Sequence, residues 1–203
     1  MAKFKFLGIV GMASVVILVL NGCSTGRAFK DGSYDDPNRV ELLDDKFNEA
    51  DMQQMADTMI KSLVACPFIA NSPKPPILIM EKVQNASSEH LDTVAMTDKI
   101  RTALIKSGKV RFVNKEERGT LEDEYKYNEG AHVNKNTQKK RGSQIGADFI
   151  ISGRIMSNVQ EVGNDKFIYY KLTVNLTNTE TSTIDCTEER EIRKKYRKQS
   201  LGL

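Results

Sequence analysis

Hydrophobic residues follow three different patterns along this chain of 203 residues. An unbroken apolar run covers 6–20, apolar residues then recur at helical spacing through much of 47–145, and alternation with polar residues is strongest in 166–177. Helical spacing is typical of amphipathic helices, and alternation is typical of strands that bury one face. The patterns therefore predict an apolar N-terminal segment followed by a domain that contains both helices and strands.

The best-defined helix is predicted over 49–64. Methionine and aliphatic residues recur there at helical spacing, Asn48 stands in front as an N-cap candidate, and Asp51 falls in the first turn, where negative charge is favourable. Pro67 is expected to end the helix. A stripe of methionines could line a groove for a partner, but it is more typical of a hydrophobic core.

Three further helices are expected. The first covers 93–107 and stops at Gly108, which suits the left-handed position after a helix. The second is the charged segment 116–127, whose neighbouring carboxylates are interpreted as a solvated helix face rather than as an acid and base pair. The third covers 136–145, is capped by its first or second residue, and ends at Gly146.

Five strands are predicted, two short ones before residue 114 and three longer ones after residue 148. Only short turns separate the long strands, which predicts an antiparallel meander. The segment 85–92 is expected to be a polar loop, and the basic run from Lys194 is expected to fray. The predicted strands are 77–80, 110–113, 149–155, 166–177 and 183–193. This order of elements predicts a mixed α/β fold, in which helices pack on a small central sheet of four to five strands.

The apolar run at the N-terminus is interpreted as a bacterial lipoprotein signal. Lys3 and Lys5 precede it, and the segment 20–23, LNGC, closes it with the pattern of a lipobox, in which Cys23 becomes the lipidated N-terminus. As a helix the run would span roughly 22 Å, which is short of the ~30 Å hydrocarbon core of a bilayer. A membrane helix and an unlipidated signal peptide are the alternatives. In bacteria that sort lipoproteins by the next residue, Ser24 favours the outer membrane.

This interpretation divides the chain into four parts. A signal peptide covers 1–22, Cys23 and a disordered tether extend to residue 46, a globular domain covers 47–198, and a tail covers 199–203. The tether is rich in glycine and aspartate and has little apolar surface to bury. The globular domain is then expected to face the periplasm from a lipid anchor in the outer membrane.

Composition narrows the function classes only slightly. The formal net charge is +3 at pH 7, and two of the positive charges belong to the signal peptide. A mature chain near neutrality lacks the electrostatic footprint of a general nucleic-acid-binding protein. Two basic clusters, 139–141 and 193–198, are interpreted as solvated faces. The alternative is that they contact an anionic headgroup, an anionic glycan or an acidic patch of a partner.

Cysteine and histidine usage predicts no metal centre. With Cys23 assigned to the lipid, Cys66 and Cys186 remain, and in an exported protein they either form a disulfide or stay unpaired as small hydrophobic residues. His90 and His132 lie in predicted polar loops and lack the spacing of zinc ligands. No hydrolase, nucleotide-binding or metalloprotease motif occurs, so no catalytic or cofactor-binding residues are predicted.

Three blocks of sequence stand in a distinctive order behind the lipobox. They are PILI with VQN inside 76–85, SGKVRFV at 107–113 and IGADFIISGRI at 145–155. The last block is the most specific. Together they resemble the LpoB-type lipoproteins, which activate bifunctional penicillin-binding proteins, and the resemblance covers roughly 47–198.

The resemblance implies a globular domain similar to the amino-terminal domain of TolB and a protein that is not an enzyme. Members of this family are outer-membrane lipoproteins that reach across the periplasm. They bind a small docking domain on a class A peptidoglycan synthase and stimulate its glycosyltransferase and transpeptidase activities. This chain is therefore expected to be a monomer that regulates cell-wall synthesis and cell shape through such a partner.

The tether departs from this family pattern. The well-known members carry a long proline-rich tether, whereas the tether here has about 23 residues and a single proline, Pro37. A coil of that length spans about 25–30 Å. The alternative from another class is a secretion-associated lipoprotein similar to the curli-secretion pore family. Such a pore needs long amphipathic membrane hairpins, and the hairpin predicted within 166–193 carries charges along its last arm.

Overall fold

The computed structural model describes residues 32–36 and 39–198. Residues 32–36 contain no helix or strand. The predicted signal peptide with its lipobox, the first part of the tether and the tail 199–203 lie outside the described residues. Among the described residues, no helix is both long and apolar enough to cross a membrane.

Helices and strands alternate in the first half of the domain, and three long strands complete it. In chain order the elements are α1 (Glu49–Ala65), α2 (Pro67–Ala70), β1 (Ile77–Met80), β2 (Gln84–Ala86), α3 (Thr93–Lys106), β3 (Arg111–Phe112), α4 (Arg118–Glu129), β4 (Phe149–Val162), β5 (Asp165–Asn178) and β6 (Ile184–Arg197).

The strands form one mixed sheet in the order β3-β1-β4-β5-β6, with β2 also beside β4. β1 runs parallel to β3 and to the start of β4, while β4, β5 and β6 form an antiparallel meander of 14-residue strands. The predicted mixed α/β fold with a terminal meander is confirmed. The described sheet has six strands rather than four to five, because β4 extends past the end of β1 and pairs with Gln84–Ala86, which overlaps the predicted loop 85–92.

The first helix forms as its sequence predicts. The Asn48 side chain accepts a hydrogen bond from the Asp51 backbone at 3.1 Å, and the Asp51 carboxylate accepts one from the Asn48 backbone at 2.9 Å, which completes a capping box. Met55, Met59 and Leu63 are buried, so the methionine stripe belongs to the core. Pro67 ends this helix and stands at the first position of α2, where its missing N–H is not needed.

The core lies between the helices and one face of the meander. Alternate residues of β5 point into it and are buried, as the period of two predicted, namely Ile168, Tyr170, Leu172, Val174 and Leu176. The intervening residues of β5 face the opposite side of the sheet. These intervening residues are only half-buried, and the side of the sheet that they occupy is called the open face below.

Two sequence predictions are wrong. No helix forms over 136–145, because the chain there is attached instead to α4: Asn128 accepts the Lys139 backbone N–H at 3.2 Å through its side chain and the Gln138 side chain through its carbonyl. The basic run from Lys194 does not fray. It continues β6 to Arg197, since the period of two seen earlier in the strand persists to its end.

Candidate functional site

Residues just before α1 are bound to the end of the meander that carries the β4–β5 turn, called the near end below. The carboxylate of Asp45 accepts a hydrogen bond from Lys166 at 2.6 Å, and the Tyr196 hydroxyl donates to the Asp44 carbonyl. The ion pair with Lys166 lowers the pKa of Asp45 and raises that of the lysine. The last residues of the predicted tether therefore contact the domain, and this contact fixes where the chain enters it.

A buried ion pair lies beneath this contact. Lys194 is only 4% exposed, its Nζ lies 2.5 Å from the Asp51 carboxylate, and it donates to the Lys46 carbonyl at 2.7 Å. A buried ammonium needs an opposite charge and hydrogen-bond acceptors, and both are present here. The pair joins the end of β6 to the first turn of α1.

Glu89, in the loop between β2 and α3, completes the near-end network. Its carboxylate accepts a hydrogen bond from the Phe47 backbone at 3.0 Å and another from the Tyr170 hydroxyl. The Phe47 and Tyr170 rings meet edge to face with centroids 5.3 Å apart. Burial, followed by the hydrogen bond to Glu89, raises the pKa of Tyr170. Sequence reasoning missed Glu89, because nothing in its polar surroundings distinguishes it from a solvated loop residue.

The basic cluster 193–198 is largely neutralised at this end. Asp165 lies 2.8 Å from both Lys195 Nζ and Arg197 Nε, and hydrogen bonds from the Arg197 and Lys195 side chains lower the pKa of Asp165 to about 2. Lys198 pairs with Glu161 at 3.1 Å. With Lys194 buried, the cluster offers little free positive charge to a ligand.

The other basic cluster, 139–141, lies in the loop after α4. Arg141 contacts two acids of that helix, Glu122 at 2.5 Å and Glu129 at 2.7 Å. The hydrogen bond from Arg141 lowers the pKa of Glu122. The acidic residues of α4 thus bind the loop beside them, which fits the interpretation of a charged solvated face and gives no acid and base pair.

The open face of the meander carries a shallow groove of about 490 Å³. Phe167 lies in it beneath Arg193, whose guanidinium carbon is 4.9 Å from the ring centroid. The Tyr169 hydroxyl donates to Glu191 at 2.6 Å, which raises the pKa of Tyr169 to about 12. Tyr169 and Glu191 therefore satisfy each other on this face.

A larger groove of about 680 Å³ lies at the opposite end of the meander, called the far end below. Phe68 of α2 is 49% exposed there and contacts Phe149, whose ring centroid is 6.4 Å away. The prolines of 73–76 form one wall of the groove. The Asp148 carboxylate accepts the Ile77 backbone N–H at 2.8 Å and so fixes the start of β1 at this end.

The two remaining cysteines also lie at the far end. The structure brings the sulfur atoms of Cys66 and Cys186 within bonding distance, with Cα atoms 6.4 Å apart, which is within the range that a disulfide requires. Such a bond would join the end of α1 to the beginning of β6. Cys23, the predicted lipidation site, lies outside the described residues.

The histidines do not form a site. His90 is exposed, and the His132 ring stacks on Tyr127 with centroids 5.5 Å apart. In the described ranges, no three histidine, cysteine or acidic side chains are grouped in a way that could bind a metal ion.

The described domain is a mixed α/β fold with shallow grooves on its open face and at its far end. The sequence profile of the family described as peptidoglycan-synthase activator LpoB matches residues 51–192. The match covers the domain from the first turn of α1 to the middle of β6, and the chain belongs to this family.

Several solved structures are similar to this chain at low sequence identity. The C-terminal domain of LpoB from Escherichia coli is 15% identical, with a TM-score of 0.48, and the match covers 70% of this chain and 98% of that one. The corresponding domain from Salmonella enterica is 13% identical, with a TM-score of 0.46 and the same coverage. A lipoprotein from Neisseria meningitidis is 14% identical, with a TM-score of 0.38, over 62% of this chain and 88% of that one. Sequence comparison with curated proteins finds no match.

Proposed function

We propose that this protein is an outer-membrane lipoprotein, anchored through Cys23, that binds a class A penicillin-binding protein and stimulates its peptidoglycan synthesis without being an enzyme itself. The observation that carries the proposal is the family match over 51–192, which includes residues from every strand of the sheet. A binding protein activates its partner when it binds the active state of that partner more tightly than the inactive state. Such a role needs a recognition surface and no catalytic group.

To play this role, the anchored domain must be able to reach the synthase. The Asp44 carbonyl accepts a hydrogen bond from Tyr196 at the near end, and 21 residues of sequence lead from Cys23 to Asp44. Such a length spans at most about 75 Å when fully extended and about 25 Å as a coil. A synthase can therefore be contacted only where it extends towards the outer membrane or where the periplasm is narrow.

A crosslinking pull-down from intact envelopes tests the proposal. The lipidated full-length protein serves as bait, and a Cys23→Ser variant, which cannot be lipidated at that residue, serves as the matched control. We expect the lipidated protein to capture a class A synthase and to fractionate with the outer membrane, and the variant to lose the membrane association. If the lipidated bait captures no class A synthase, the proposed partner is wrong.

A further inference from the structure

The last strand, β6, forms one edge of the described sheet. In the order β3-β1-β4-β5-β6 it stands at the end, and β5 is the one described strand that pairs with it. With 14 residues it is much longer than β3, the two-residue strand at the opposite edge. A long edge strand presents a row of backbone N–H and C=O groups with which another strand can pair. The described sheet can therefore be extended at β6.

The pairing with β5 shows which backbone groups of β6 point outward. The Lys198 backbone N–H donates to the Asn164 carbonyl at 2.8 Å, and opposite residues of an antiparallel ladder alternate between bonded and non-bonded pairs. The even-numbered residues of β6 therefore bond to β5, as far as the register shift near the start of the strand. The odd-numbered residues from Thr187 to Arg197 turn their N–H and C=O groups to the outer edge.

The side chains of these odd-numbered residues are separated by the sign of their charge. They lie on the open face, because they stand opposite the open-face residues of β5. Acids precede bases along the row, which reads Thr187, Glu189, Glu191, Arg193, Lys195 and Arg197. Two antiparallel copies of this row place the acidic half of each copy beside the basic half of the other. The row is therefore complementary to itself.

One register uses this complementarity in every charged pair of the open face. With Ile192 on the two-fold axis, Glu191 stands opposite Arg193 of the second copy. Glu189 stands opposite Lys195 in the same way, and the symmetry repeats both pairs. The two neighbouring registers with the same pattern of backbone hydrogen bonds place Glu191 or Arg193 opposite its own copy, where like charges repel. The charges therefore select the register centred on Ile192.

The core side of β6 is compatible with this register. Ile192 is only partly buried and meets its own copy at the axis, which adds an apolar contact. The one pair of like charge along the strand is Arg190 opposite Lys194. It costs little, because the Asp51 carboxylate already neutralises Lys194 at 2.5 Å.

The open-face charges of β6 remain accessible although they have contacts with β5. Glu189 pairs with Lys171 at 3.1 Å, yet its side chain is 48% exposed. Lys195 pairs with Asp165 at 2.8 Å, and its side chain is 51% exposed. Arg193 lies beside an aromatic ring of β5 and is also exposed. Since β5 lies on one side of these residues, a second strand can approach from the other.

We propose that β6 pairs with β6 of a second copy of this chain, antiparallel about Ile192, so that the two described sheets join into one. Charges on an edge strand commonly prevent such pairing. Here their separation by sign makes the same residues specific for another copy of the row, since other registers bring like charges together. The dimer differs from the monomer that the family resemblance implies, and it does not depend on the proposed function.

Sedimentation equilibrium of the mature, unlipidated chain at several protein concentrations tests the dimer. The acidic-half variant is Glu189→Lys with Glu191→Lys, and the basic-half variant is Arg193→Glu with Lys195→Glu. All four side chains are exposed, so both variants are expected to fold, and circular dichroism of each is measured alongside. Each variant gives the row charges of a single sign, whereas an equimolar mixture of the two restores opposite charges in every pair.

We expect wild type to be a dimer that is weakened by high salt, because salt screens exposed charges. Each half-variant alone should raise the dissociation constant of the dimer by about tenfold or more, since like charges then face each other. The equimolar mixture should form a heterodimer about as tightly as wild type associates. The matched control is Lys82→Glu with Lys140→Glu, two exposed lysines outside β6, and it should associate like wild type.

Four results would overturn the inference. The first is a wild type that is monomeric at every concentration, which needs no variant and would leave the edge of β6 to a strand of another protein. The second is a wild-type dimer that high salt does not weaken. The third is self-association of the half-variants as tight as that of wild type, which would place the interface elsewhere. The fourth is a mixture of folded half-variants that does not associate.

Discussion

The two ends of the meander are stabilised by different chemistry. At the near end, Lys194, Asp51 and Glu89 form a network of charges and hydrogen bonds around the point where the chain enters. At the far end, Cys66 and Cys186 stand at bonding distance, and the groove beside them is lined by two cations, Lys74 and Arg111, and by two carboxylates, Asp148 and Glu180. Charges and hydrogen bonds therefore join the elements at the near end, whereas a disulfide would join them at the far end.

Breaking the buried ion pair should have the largest effect on stability. Lys194→Ala leaves the buried Asp51 carboxylate without its opposite charge, so we expect the free energy of unfolding to fall by about 3–5 kcal/mol. Urea denaturation followed by circular dichroism measures the loss. The double variant Lys194→Met with Asp51→Asn removes both charges and should recover part of the stability. An unchanged unfolding midpoint in Lys194→Ala would show that the ion pair between Lys194 and Asp51 does not stabilise the fold.

Removing the proposed disulfide should be the next largest change. The two cysteines are 120 residues apart in sequence, so a bond between them closes a long loop, and its loss should cost about 2–4 kcal/mol. We expect the Cys66→Ala, Cys186→Ala double variant to unfold at lower denaturant than wild type. Reducing agent should destabilise wild type and leave the double variant unchanged. If a free-thiol titration of the exported protein finds two reactive thiols, Cys66 and Cys186 are not bonded and this prediction is wrong.

The capping box at the start of α1 tests a smaller contribution to stability at the near end. Asn48→Ala removes the acceptor for the Asp51 backbone N–H, and we expect the free energy of unfolding to fall by about 1 kcal/mol. The control is Asn71→Ala, because Asn71 is exposed and caps no helix through its side chain. Equal destabilisation by both substitutions would contradict the assigned role of Asn48.

The smallest effect is expected at the exposed pair of Asp165 with Lys195 and Arg197. The pKa of Asp165 is about 2 in the folded protein, below the ordinary value of about 3.9. A lowered pKa stabilises the folded state at pH values above the ordinary one, and that contribution is lost as the pH falls towards 2. We expect Lys195→Gln with Arg197→Gln to raise the pKa of Asp165 towards its ordinary value, as an NMR titration of the side-chain carboxyl would measure. Lys82→Gln is the control, and a pKa that stays near 2 without both cations would show that they are not its cause.

Periodic patterns in the sequence predicted the main elements of the fold. The capped α1 helix and the alternation of β5 both depend on local signals, namely a polar cap and a period of two, and both are found in the structure. The strand at 84–86 could not be predicted, because its three exposed residues carry no hydrophobic pattern and pair only through the long β4. The helix predicted over 136–145 was wrong for a related reason. Hydrogen bonds from Gln138 and Lys139 to Asn128 override the local preference of this segment for a helix.

The arrangement of the surface charges was harder to predict than the fold. Basic clusters are visible in a sequence, but only the structure distinguishes Lys195 and Arg197, which are paired, from Lys74 and Arg111, which have no partner among the described residues. The pairs join residues far apart in the chain, so no local pattern reports them. The position of Phe68 after Pro67 gives no signal either, because its exposure depends on how α2 and the proline loop pack.

Peptidoglycan polymerisation by the purified class A synthase of the same cell tests the central claim most directly. Glycan-strand formation is measured while the mature, unlipidated protein is added in increasing amounts. We predict that wild type raises the rate to a plateau. A rate that stays constant at saturating wild-type protein would contradict the account.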